Sequence, residues 1–353
     1  MIAFRGAEER IFYDLTLQDY RQGVVVINIV TEKAETSDRL VEALRNRESH
    51  IVHLTHNDLD AVGADAIHRM VYGEVFTIFC SVGSYSTILG KVATIPGQGD
   101  LLSITDLGYQ NGIEEQIDQA KKNQWKVVWR DHHRWEKEEL DRIARRVELL
   151  HVDTSVCACG ITAQDLKPDD PVATEVASVV CDYDLWKNRE PRAAVLARVI
   201  SREENRTYVR DCLVKGIFSD PRIHEQYLEI QREMEVDIQK SVRRVRIYGS
   251  GNRIAVAPLY GYPSETAAAI RKELKTDIEV LVYPNGRFSI RSIPSISHLI
   301  AREFQGGGHA HAAGGNFSFS LWERLIFLLL RNTRQVRRLI EVAESIGSGV
   351  QIP

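Results

Sequence analysis

No uncharged apolar run approaches the roughly 18 residues that a membrane-spanning helix requires, so no transmembrane segment is expected. The opening stretch, MIAFRGAEERIFYDL, carries acidic residues too early for a secretory signal. Cysteine is scarce: Cys80, Cys157, Cys159, Cys181 and Cys212 are five, an odd and scattered set. That argues against a disulfide framework and predicts a reducing, cytoplasmic setting. Internal repeats and low-complexity linkers are missing too. An excess of one charge is also lacking, with 45 Lys/Arg against 49 Asp/Glu and a formal net of −4. What is present is ordinary for a globular protein: 44% apolar residues can support cores and exclude a long disordered chain. A length of 353 residues suggests two domains.

The neutral total hides an asymmetry. Residues 201–353 hold 22 Lys/Arg and 17 Asp/Glu, a net of +5, so residues 1–200 carry −9. Either composition scattered by chance or a division of labour between cation-holding and anion-holding halves would produce it.

Apolar runs at 24–30, 50–56, 75–80, 101–105, 126–130 and 147–152 predict strands. Amphipathic segments such as 36–47, 63–71 and 112–123 predict intervening helices. This alternation implies a mostly parallel α/β sheet, whose ligands gather at the carboxyl ends of the strands. Residues 172–212 read as helical. Residues 222–246 form a long charged amphipathic pattern ended by Tyr248-Gly249-Ser250-Gly251. Strands at 253–260 and 278–283 lead to Asn285-Gly286, a hairpin signal before 287–292. A helix is expected at 296–304, before the glycine-rich 305–315. Residues 321–345 predict one final helix carrying Arg324, Arg331, Arg334, Arg337 and Arg338.

Four segments of the acidic half place carboxylates or imidazoles just after an apolar run. Asp58 and Asp60 follow 50–56, Asp106 follows 101–105, Asp131, His132 and His133 follow 126–130, and Asp153 follows 147–152. In a parallel sheet all would converge on one edge. A strand-end aspartate alone is commonly a helix cap. Gathered carboxylates, however, repel one another unless cations neutralise them. Mixed Asp/His donors suit Mn²⁺ or a similar divalent ion, and two such ions can activate water and stabilise phosphoryl charge.

The segments THNDLDAVGAD, ITDLG, WRDHHRW and HVDTS, in that order, resemble motifs I to IV of the DHH phosphoesterase superfamily. FQGGGHAHAAGG at 304–315 resembles the GGGH motif of the type 1 DHH-associated domain found in RecJ-like and nanoRNase-like members. The resemblance covers about residues 50–319. It implies an N-terminal parallel-sheet catalytic domain at 50–204; residues 1–49, which the resemblance does not account for, are read as an extension of that domain. A helical linker at 205–246, a smaller α/β substrate-binding domain at 247–320 and a C-terminal helix at 321–353 would follow, with the active site in the cleft between the domains.

Position by position, the resemblance makes Asp58, Asp60, Asp106, His132 and Asp153 metal ligands, with Asp106 bridging two Mn²⁺ ions (Mg²⁺ or Co²⁺ being alternatives). His133 would contact substrate phosphate or assist proton transfer, and Asp131 would orient a histidine. Arg291, His309 and the amides of Gly306, Gly307 and Gly308 would hold the substrate. Some relatives use a histidine four residues before the first aspartate of motif I. Leu54 stands there, and His56 is the nearest replacement, with His53 read as a strand residue.

The activity implied is hydrolysis of short single-stranded RNA or DNA by a metal-dependent phosphodiesterase or exonuclease. Alternatives are a cyclic-dinucleotide or 3′-phosphoadenosine phosphate (pAp) phosphoesterase, and a non-catalytic replication or repair scaffold. A homodimer is compatible with all of them. Three further features admit two readings. Cys157-x-Cys159 suits zinc only with a second ligand pair, and otherwise reads as buried small residues. The C-terminal arginines suit nucleic acid or a solvated helix face. Tyr260, Tyr283 and Phe288 suit base stacking or core packing.

Overall fold

The structure, a computed structural model, describes residues 24–26 and 35–347. Residues 27–30 of the first expected strand lie outside the described residues. Two compact units are present, residues 1–227 and 228–353.

The first unit opens with β1 (Val24–Val26), α1 (Glu35–Arg45), β2 (Ile51–Thr55), α2 (Leu59–Tyr72), β3 (Phe76–Phe79) and α3 (Tyr85–Thr94). It continues with β4 (Leu101–Thr105), α4 (Ile113–Lys122), β5 (Lys126–Asp131), α5 (Lys137–Ala144) and β6 (Leu149–Val152). The strands form one sheet in the order β1-β3-β2-β4-β5-β6, parallel at every pairing. Central strands such as β4 are buried almost throughout, as expected where helices cover both faces.

The order decides where a ligand can enter. From β2 the chain moves to β3 on one side, then returns across β2 to β4 on the other. Crossovers of the same hand in opposite directions place α2 and α3 on opposite faces. Accordingly α2 packs in one apolar cluster with Phe79 and Val180, and α3 in another with Trp125 and Trp129. The loops after β2 and β4 therefore part, leaving the crevice of a topological switch point.

The unit closes with α6 (Ala158–Leu166) and, across the stretch read as helical at 172–212, with α7 (Pro171–Asp184), α8 (Pro191–Ile200) and α9 (Arg206–Val214). Buried Asp182 accepts the Arg189 and Glu190 N–H groups, both at 2.8 Å, and Pro191 begins a new helix. The cysteine pattern predicts no bridge, yet Cys157 at the start of α6 is joined to Cys181 in α7. Cys159 stays a free buried thiol, and no zinc-type cysteine group lies near it among the described residues.

Helix α10 (Pro221–Val242) carries the chain from the first unit into the second. The pattern read to residue 246 ends as helix at Val242, and β7 (Arg246–Tyr248) follows, antiparallel to β8 (Ile254–Pro258). After α11 (Pro263–Leu274) come β9 (Ile278–Val282), β10 (Arg287–Ser292), α12 (Ser297–Arg302), β11 (Gly307–Gly308) and β12 (Ala312–Asn316). The mixed sheet runs β11-β12-β10-β9-β8-β7. The Asn285-Gly286 turn joins β9 to β10, with Gly286 at φ 91, which suits glycine.

The expected final helix is two, α13 (Leu321–Leu330) and α14 (Arg334–Gly347). Arg331 at φ 53 ends the first, and the Thr333 hydroxyl caps the second through Val336 N–H at 3.2 Å. Arg331 is buried while Arg334, Arg337 and Arg338 are exposed, so the arginines do not form one face. Among the described residues no helix is long and apolar enough to cross a membrane.

Candidate active site

The crevice at the switch point collects the strand-end side chains. Asp58 caps α2 by accepting the Ala61 N–H at 3.1 Å. In the first turn of that helix, Asp60 is buried and accepts the Ala158 and Cys159 N–H groups, each at 2.7 Å. Those amides open α6, whose positive end favours a carboxylate. Asp106 follows β4 with φ 55, an uncommon backbone for a residue other than glycine and one that aspartate tolerates.

His132 Nε2 lies 3.3 Å from Asp106, 3.4 Å from Asp184 and 3.8 Å from Asp60. His56 Nδ1 lies 2.8 Å from Asp58 and 3.5 Å from Asp106. Ligand atoms of Asp106, His132 and His133 lie within 4.8 Å of one another, as do those of His56, Asp58 and Asp106, and of Asp60, His132 and Asp184. Asp131 is buried between two donors, His133 Nδ1 at 2.8 Å and Trp135 Nε1 at 2.6 Å. It orients His133, not His132.

The structure does not bring Asp153 into this group. Its Oδ1 instead accepts the N–H and hydroxyl of Ser155, at 2.8 and 2.7 Å, closing a local turn. The carboxylate that does arrive is Asp184, from the last residue of α7, a position that motif reading passes over. One signal was available: a carboxylate at a helix C-terminus opposes the macrodipole, so its presence there asks for a reason. His53 is a buried strand residue, hydrogen-bonded to Thr105 at 2.8 Å and stacked on His68.

The electrostatics are those of carboxylates lacking countercharge. Burial, then the charges of Asp106, Asp184 and Asp58, hold Asp60 well above the usual carboxyl range. Burial and Asp58 raise Asp106, and burial raises Asp184 to about 6. Burial opposes protonation of His56, but the neighbouring carboxylates of Asp106 and Asp58 outweigh it and push its pKa up to about 10. His132 is raised against burial by its hydrogen bond to Asp106, and His133 chiefly by its hydrogen bond to Asp131. Asp106 Oδ2 and Asp184 Oδ2 are buried without a hydrogen-bond partner. Orphaned buried carboxylate oxygens beside imidazoles suit divalent cations.

In the second unit, Tyr283, Arg291, Gly306, Gly307, Gly308 and His309 line a surface depression of about 690 Å³. Arg291 Nη1 donates to Ser289 Oγ at 2.8 Å and Nη2 to Ser264 Oγ at 3.0 Å, which fixes its fork. The glycines differ. A Cβ on Gly306 would meet Gly314 O at 2.0 Å, whereas one on Gly307 meets nothing within 4 Å. Three free amides are not presented, because Gly306 N–H already donates to Ala301 O at 2.9 Å. Phe288 is core, packed on Phe304 and Phe317. Tyr260 is exposed, with the Arg244 guanidinium 5.6 Å from its ring.

No protein-family model and no curated protein matches the sequence. Solved structures do resemble the fold. The exonuclease RecJ bound to manganese matches with TM-score 0.52 and 15% identity, over 90% of this chain and 94% of that one. RecJ in complex with Mn²⁺ from Thermus thermophilus matches with TM-score 0.51 and 15% identity, over 90% of this chain and 55% of the larger protein.

Proposed function

From the RecJ-like fold of the DHH superfamily that this chain adopts, we propose that it is a divalent-metal-dependent phosphodiesterase acting on short single-stranded oligonucleotides. The observation that carries this reading is the crevice holding Asp58, Asp60, Asp106, Asp184, His56 and His132, with two buried carboxylate oxygens unpartnered. Those six side chains are the proposed metal ligands, and manganese in both RecJ structures supports that metal. Bound divalent cations would supply a nucleophile at neutral pH and offset charge on the phosphoryl oxygens.

The chain's own residues do the rest. Asp60, clamped by two α6 amides, holds the α2 side of the site rigid. Asp131 fixes the His133 ring, which contacts the phosphate or passes a proton to the departing hydroxyl oxygen as water adds to phosphorus and the P–O ester bond breaks. Arg291, locked by Ser289 and Ser264, offers a charged fork for phosphate. His309 and the open Gly307 edge line the same depression.

The test is hydrolysis of end-labelled di- to pentanucleotides, RNA and DNA, with Mn²⁺ and with chelator. Mn²⁺-dependent release of mononucleotides is expected. Folded protein inert with every metal and oligonucleotide would sink the proposal and leave the scaffold reading. Turnover confined to cyclic dinucleotides or 3′-phosphoadenosine phosphate would transfer the site to those substrates.

A further inference from the structure

Two residues beyond Asp184 the chain presents Trp186 with 84% of its surface exposed. Two residues of chain span at most about 7 Å, so the Trp186 backbone lies at the rim of the carboxylate cluster. The turn carrying it is rigid. The Asp182 carbonyl accepts the Lys187 and Asn188 N–H groups at 2.9 and 3.3 Å, and the Asp182 carboxylate accepts those of Arg189 and Glu190. Asn188 Nδ2 donates to the Trp186 carbonyl at 3.1 Å.

Trp186 and Asn188 both hold left-handed backbones, φ 57 and φ 51, without being glycine. For a bulky indole that conformation costs free energy, and such strain concentrates at ligand clamps. The turn is thus held from within by a buried aspartate. Outward it shows, in sequence, an indole, an ammonium, an amide and a guanidinium, all exposed. Lys187 and Arg189 form no ion pair among the described residues. An aromatic face flanked by cations is the equipment for a single-stranded nucleotide, with the base on the ring and phosphate on the charges.

We propose that Trp186 is the base-stacking platform of this site and that Lys187 and Arg189 hold the phosphate next to the one cleaved. This rests on the phosphodiesterase reading and narrows it, since the substrate must carry a nucleobase beside the scissile phosphate. Trp186 is then a specificity determinant, with no part in the bond-breaking step.

The test uses the full chain as wild type, Trp186→Phe and Trp186→Ala, with two substrates: a 5′-phosphorylated dinucleotide and its fully abasic counterpart. The dinucleotide should quench indole fluorescence in the wild type and less in Trp186→Phe. Trp186→Ala should raise KM for the dinucleotide about tenfold at nearly constant kcat, Phe should restore most of it, and the abasic substrate should be indifferent to all three. An unchanged KM in Trp186→Ala, or equal losses on both substrates, overturns the inference while leaving the phosphodiesterase intact. If the wild type cleaves neither substrate, that reading fails. Quenching lost with Trp186 then still supports the stacking platform, and no quenching overturns it as well.

Discussion

In the first unit four carboxylates and three imidazoles crowd a crevice made by strand order. In the second unit the polar groups of the glycine-rich hairpin and Arg291 line an open depression, and Arg291 is tied to serines. On the proposed phosphodiesterase reading, the contrast is between two ways of preparing for phosphate chemistry. One stores unfavourable electrostatics in a buried place, which only a cation relieves. The other holds a permanent cation in fixed geometry at little cost to stability. Substitutions should therefore act differently at the two places: loss of Asp106 or Asp184 lowers function while relieving repulsion, and loss of Arg291 lowers function alone.

The largest effect is expected at the shared carboxylates. Asp106→Asn and Asp184→Asn should each lower kcat/KM by more than the ~100-fold seen for outer partners of a metal site, with Mn²⁺ affinity falling in calorimetry. Asp153→Asn should leave both nearly unchanged. The reverse ranking would return Asp153 to the site and break the comparison at its root.

Next comes Arg291→Ala, which should raise KM by roughly tenfold, the scale of a charge-assisted hydrogen bond, while kcat moves little. Arg291→Lys should recover only part, because a point charge cannot reproduce the fork. An equal fall in kcat would assign Arg291 to the transition state.

A smaller effect concerns the metal-free protein. Asp184, raised to about 6, binds a proton more readily folded than unfolded. Stability then falls as pH rises from about 4 to 6, where the folded state must release that proton. His56 and His132, raised by the same carboxylates, act in the same direction: their stabilisation is complete below the ordinary histidine range and is lost as pH climbs through their folded values. With chelator present, thermal unfolding of the first unit should shift to lower temperature from pH 5 to pH 8. Asp184→Asn should flatten that slope and raise the midpoint by about 2–4 °C per kcal/mol of relieved repulsion. A slope untouched by the substitution would show that the crowding is not what limits stability.

The smallest effect separates the hairpin glycines. Gly306→Ala should lower the melting temperature of the second unit, since its Cβ would enter the Gly314 carbonyl. Gly307→Ala should leave stability unchanged and weaken substrate binding modestly. Equal melting losses would make all of the glycine run structural.

Legibility of the site followed chain locality. Asp58, Asp60, Asp106 and His132 each stand a few residues past an apolar strand, and a parallel sheet brings such positions to one edge. Their convergence could be reasoned from alternation alone. Asp184 could not, because its arrival depends on how α7 packs beside α2 and α6, tens of residues from any strand end. The Cys157–Cys181 bridge and the choice of His133 over His132 as the partner of Asp131 belong to the same class. The helix break at 331–333 was missed for a related reason: composition there stays helix-compatible, while a left-handed arginine ends the helix.

By itself the sequence determined that strands and helices would alternate and that acids and imidazoles would stand at strand ends. It also determined that a strand carrying Arg291 would precede a glycine-rich segment. These follow from periodicity and short-range geometry, which a linear chain carries. Only the tertiary structure decided which carboxylate completes the cluster, which amide of the glycine run is already engaged, and that the indole two residues after Asp184 stands uncovered. Those depend on packing between segments far apart in the chain, where strand order and helix docking outweigh local preference.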